Sequence, residues 1–155
     1  LIFTRKINEV TPMSINKFNS EGYYDPTAYE ALANIEKEER ALRAFRPIVY
    51  ICSPYAGDVT ANVENARRYS RFAVDMGYIP IAPHLLFPQF LCDDNPKERQ
   101  LGLFFGNALM SKCSEVWVFG EYISSGMEAE IRRAKWKNYR LRYFTAACEE
   151  VTDYA

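Results

Sequence analysis

The stretch "SSGMEAEIRRA", residues 124 to 134, sets two carboxylates, Glu128 and Glu130, directly after a Ser-Ser-Gly turn. At the start of a helix such acids ordinarily stabilise the unpaired N–H end, by a few tenths to ~1 kcal/mol each. A glutamate beside a binding cleft has a second use. Its carboxylate can attack an anomeric carbon, whose oxocarbenium-like character makes it a suitable electrophile. Two positions apart on a helix, the side chains point in different directions, so at most one of the pair easily faces a cleft. Cys52 with His84, the single histidine, would suit a thiol nucleophile and its base. A phosphate-handling cysteine loop would also place an arginine shortly after the thiol, where Asp58 stands, so the ordinary reading is a buried strand cysteine.

These residues need elements to position them. From Pro47 the chain alternates short apolar runs with helical segments. "PIVYICSP" reads as a buried strand, "TANVENARRYSRFAVDMG" as a helix closed by Gly77, and "YIPIAP" as a second strand. "HLLFPQFLCDDNP" reads as a long proline-punctuated loop, "KERQLGLFFGNALMSKC" as a helix and "EVWVFG" as a third strand. "SSGMEAEIRRAKWKN" then makes a helix and "YRLRYF" a fourth strand. Strands alternating with helices predict an α/β fold with an open parallel sheet, because parallel neighbours need crossover helices. Ligands bind such sheets at the carboxyl ends of the strands. Those ends are Ser53 to Asp58, Pro83 to Gln89, and Gly120 to Gly126. Residues 1–46 have a different texture and read as an N-terminal helical extension to a domain over 47–155. Asp25-Pro26-Thr27 marks a helix start, and Ala28, Leu32, Ile35 and Leu42 form its apolar face.

Composition narrows the chemistry. With 155 residues, 48% hydrophobic, the chain suits one packed core, and 19 basic against 20 acidic side chains give no reason to expect nucleic acid or an anionic membrane as partner. No apolar run approaches the ~20 residues that span a bilayer, and "LIFTRKINEV" carries charges where a signal peptide needs its apolar stretch, so a cytoplasmic location is expected. Cys52, Cys92, Cys113 and Cys148 lack paired close spacing, and with one histidine they make no zinc set, so neither metal nor cofactor is expected. The strand into "SPYAGD" has no G-x-G-x-x-G, and neither an NTP-phosphate loop nor G-x-S-x-G occurs. A kinase, a standard dehydrogenase and a serine hydrolase of that type are thereby disfavoured.

"VYICSPY", "GNALMSKCSEVWVFG" and "SGMEAEIRRA" together resemble the nucleoside 2-deoxyribosyltransferase family and its bacterial and phage relatives, over roughly residues 47 to 144. The resemblance implies a Rossmann-like or flavodoxin-like open sheet of about four or five strands. In that family a strand ends in a small-residue, Pro-aromatic turn, which "ICSPY" resembles, and the catalytic element reads approximately G-x-G-[MY]-E-L-G-x-A. Matching Gly126 and Ala134 without gaps makes Glu130 the nucleophile; matching only Gly-Met-Glu selects Glu128, the fallback. The family's two aspartates, one on the middle helix and one opening the third strand, fall at Asn107 and Glu115, while Ala129 and Arg132 replace a larger apolar residue and a glycine. The implied activity is N-glycosidic bond cleavage or (deoxy)ribosyl transfer on a nucleoside or nucleoside monophosphate. Asn107 would hydrogen-bond sugar hydroxyls. Ser53, Pro54, Tyr55, Ser124, Ser125 and Gly126 would bind the sugar or a 5'-phosphate, and His84, Phe87 and Gln89 the base. The relatives imply a homo-oligomer. A module that binds a nucleotide without turnover is the alternative, and an assembly protein built on the N-terminal helix a third reading.

Overall fold

The computed structural model describes residues 16–18 and 20–152; the charged stretch at residues 1 to 10 lies outside them. The chain divides into two compact units between Phe45 and Arg46. In the first, α1 spans Pro26–Leu42, and it starts where the sequence places it: the Asp25 carboxylate accepts the Ala28 N–H at 3.1 Å, with Pro26 in the first turn. No residue of α1 is buried, and Leu42 is 79% exposed.

The second unit is an α/β fold. Its elements are β1 (Ile48–Cys52), α2 (Val59–Asp75), β2 (Ile79–Ile81), α3 (Pro83–Leu86), α4 (Pro96–Met110), β3 (Glu115–Phe119), α5 (Ser125–Trp136), β4 (Arg140–Phe144) and β5 (Glu150–Val151). The sheet order is β2-β1-β3-β4-β5, with the first four strands parallel and β5 antiparallel to β4. Two features differ from the sequence reading. The proline-punctuated loop contains α3 and a 3-10 turn over Phe87–Gln89, because Pro83 and Pro88 each sit in a first turn, where their fixed φ suits a helix and their missing N–H costs nothing. The chain then turns back after β4 to add β5, a two-residue strand too short to leave a periodic pattern.

The central strands β1 and β3 are apolar on both faces because both are covered. Val49 and Ile51 face one way, into a core with Tyr69, Ala73, Trp117, Phe119 and Phe144. Tyr50 and Cys52 face the other, packing with Met110 of α4 and Met127 and Ala134 of α5. Burying one of the large side chains contributes about 1.5–3 kcal/mol. From β1 the chain passes to β2 on one side and later to β3 on the other, so the topological switch point lies between β1 and β3. Capping aims the helices. Asp58, Asn95 and Ser124 each accept a first-turn N–H of α2, α4 and α5 through their side chains.

At the opposite end of the sheet, Glu115 is 6% exposed and accepts the Trp117 indole N–H at 2.7 Å. Arg140 and Arg142 lie 3.1 and 3.4 Å from its carboxylate, and Arg142 is also paired with Glu150 of β5 at 2.8 Å. Hydrogen bonding to Glu150 comes first among the causes that raise the Arg142 pKa, and the same contact lowers that of Glu150. Glu115→Ala should cost about 2 kcal/mol in urea unfolding, since it leaves the indole N–H unpaired. Glu115→Gln, whose amide oxygen still accepts that N–H, should cost less; equal losses would mean the indole bond contributes nothing.

Candidate functional site

The carboxyl end of β1 opens into a cavity of about 460 Å³, walled by α3, the loop after it, α4 and the first turns of α5. Glu130 lies in this wall. Ser124 caps α5 through the Met127 N–H at 3.3 Å, and from that start Gly126, Glu130 and Arg133 fall along one side of the helix toward the cavity. Glu128 points elsewhere. It is exposed, pairs with Arg132 at 3.8 Å, and does not line the cavity, which is the divergence expected for residues two apart.

The Glu130 Oε1 accepts the Tyr50 hydroxyl at 2.7 Å, across from the middle of β1. Burial raises the Glu130 pKa above the ordinary 4.5, while the nearby Cys52 thiol and the hydrogen-bonded Tyr50 phenol oppose the rise. In return, burial and then the Glu130 charge push both Tyr50 and Cys52 well above their ordinary values, so both remain protonated donors at neutral pH. Cys52 is fully buried, which disqualifies it as a nucleophile paired with His84. The Tyr50 position depends on a glycine. A Cβ at Gly106 of α4 would come within 3.3 Å of the Tyr50 Oη and 3.9 Å of Pro83.

His84 on α3 meets Ser53 at the end of β1, with 2.9 Å between Nε2 and Oγ; the tautomer decides which donates. Burial lowers the His84 pKa from 6.5 to about 4, so the ring is neutral at physiological pH. Of the residues singled out from sequence, Ser53, Tyr55, His84, Phe87, Asn107, Ser124, Ser125, Gly126 and Glu130 all line the cavity. Pro54 and Gln89 do not; the Gln89 amide is exposed and donates to the Leu85 carbonyl at 2.7 Å, closing its own helical turn. Glu115, at the amino end of β3, belongs to the arginine cluster and not to the cavity. Tyr50, Gly106 and Arg133 escaped the sequence reading. Only Tyr50 left a trace there, as a hydroxyl within an otherwise apolar strand, on the same face as Cys52.

An open, largely parallel sheet flanked by helices, with a cavity at its switch point, places the chain in the Rossmann-like α/β class. Residues 47–144 match the model of a family described as a domain of unknown function, DUF7768, and the chain belongs to that family. No curated protein matches the sequence. Among the described residues, no group of three His, Cys, Asp or Glu side chains is placed to hold a metal ion, and no helix is long and apolar enough to cross a membrane.

The two titratable groups of the wall affect stability with opposite signs. Glu130 has a raised folded pKa, so its penalty is absent below the unfolded value and full above the folded one. Glu130→Gln should therefore raise the melting temperature at pH 8 and converge with the parent protein toward pH 4. His84 has a lowered folded pKa, so stability falls as pH drops from 6.5 toward 4, by up to about 3 kcal/mol. His84→Asn should flatten that fall. Thermal unfolding of both variants across pH 4 to 8 checks the signs, and parallel curves for all three proteins would refute the burial argument.

Proposed function

We propose that the protein cleaves or transfers the N-glycosidic bond of a nucleoside or nucleoside monophosphate, with Glu130 as the nucleophile. The observation that carries this reading is a carboxylate in the wall of the switch-point cavity, held at 2.7 Å by a hydroxyl from the adjacent strand. The match of "SGMEAEIRRA" to the transferase element supports it at the same residue. In the first step the carboxylate attacks C1', the C–N bond breaks, and its electron pair leaves with the base, which takes up a proton. In the second, a ring nitrogen of another base (transfer) or water (hydrolysis) attacks C1', and the ester C–O bond returns its pair to Glu130. His84, being neutral, serves as a hydrogen-bonding group that orients Ser53 rather than as an imidazolium acid. Asn107, Tyr55 and Ser125 offer hydrogen bonds to sugar oxygens, and Phe87 offers a ring face to the base.

A second reading, a module that binds a nucleotide without turnover, is favoured by Asn107 standing where the resembling family has an aspartate. Chromatography of free base released from a panel of nucleosides and monophosphates separates the two. Under the enzymatic reading Glu130→Ala loses about a thousandfold in rate, ~4 kcal/mol of barrier, and Glu128→Ala changes little. Tyr50→Phe removes a donor to the carboxylate, so the acid limb of kcat/KM should move to higher pH. Base release undiminished in Glu130→Ala would exclude the nucleophile. Ligand-induced thermal stabilisation with no base released would establish the binding module instead.

A further inference from the structure

One charged side chain of the cavity wall has no role so far. Arg133, one turn beyond Glu130 on α5, lines the cavity, and its Nε is buried without a hydrogen-bond partner. The other charged wall residues are engaged. Glu130 takes the Tyr50 hydroxyl, Asp93 and Arg99 approach to 4.0 Å, and Glu98 accepts the Cys92 N–H. A guanidinium is always charged and donates only, and buried donors without partners are rare enough in folded proteins to require a reason. Among the described residues the Arg133 guanidinium has no carboxylate or other acceptor paired with it, so its charge in the cavity wall is left for a ligand to neutralise.

We infer that Arg133 seats a phosphate monoester on the ligand, so that the cavity holds nucleoside monophosphates in preference to free nucleosides. The planar fork of donors matches phosphate oxygens two at a time. Three residues of helix separate Arg133 from Glu130, about 4.5 Å of rise, so a sugar with C1' at the carboxylate carries its 5' substituent within reach of the guanidinium. The identity of the rest of the ligand rests on the glycosidic reading; the anion seat does not.

Titration calorimetry on the full chain carrying Glu130→Gln, which blocks turnover, tests this with four 2'-deoxynucleoside 5'-monophosphates, the matching nucleosides, ribose 5-phosphate and ribose. At least one monophosphate should bind about tenfold or more tightly than its nucleoside, and ribose 5-phosphate more tightly than ribose. Adding Arg133→Gln should erase that difference while leaving nucleoside affinity within about twofold, and Arg133→Lys should fall between. Circular dichroism and melting temperature should show both variants folded, because in the unliganded protein the Arg133 Nε has no partner to lose. Monophosphates that bind no better than nucleosides, or an Arg133→Gln loss shared equally by both, overturns the inference and puts Arg133 elsewhere on the ligand. Monophosphate binding that depends on Arg133, in a parent protein that releases no base, removes the glycosidic reading and leaves the anion seat standing.

Discussion

The contact between the Tyr50 hydroxyl and the Glu130 carboxylate organises the wall of the cavity. A carboxylate taken out of water without a partner becomes protonated or forces its helix away from the sheet. Here β1 supplies the partner from its own middle. Because Tyr50 is fixed between two neighbouring strands, the carboxylate inherits the rigidity of the sheet rather than the mobility of a loop. Gly106 is the complement of that arrangement: its missing side chain lets α4 close over the phenol.

The pleat of one strand separates two tasks. Val49 and Ile51 join an aromatic core in which Tyr69 and Phe119 stack at 4.3 Å and Trp117 and Phe144 lie 4.9 Å apart, and that face is entirely about cohesion. Tyr50 and Cys52, one residue out of phase, face the helices that wall the cavity. Charge is divided along the other axis. The buried Glu115 ties β3 to β4 at the amino ends of the strands, whereas Glu130 lies toward the carboxyl ends, so the two acids can be altered independently.

Periodicity made the four parallel strands and the long helices legible, and Asp25 betrayed its helix start because capping chemistry is local. β5 was not legible, since two residues carry no pattern and their pairing depends on a turn. Among the site residues, those in loops at strand ends could be picked out because the fold class itself says where a cavity opens. Gln89 lies outside the cavity lining with its amide on a local carbonyl, a contact that sequence spacing cannot weigh against a ligand. Tyr50 and Arg133 became visible only when β1 and α5 were set face to face. The value of Tyr50 is a distance to a residue eighty positions away.

The sheet is closed to extension at both margins. On one side β2 is three residues long with Pro80 at its centre, and proline has no N–H to offer a further strand. On the other, β5 exposes only two residues, and the Arg142 to Glu150 pair bolts it to its neighbour. A parallel sheet with long bare margins invites another chain to add itself by backbone pairing. This one offers almost no ladder to join, so pairing along its margins is limited to a few backbone groups.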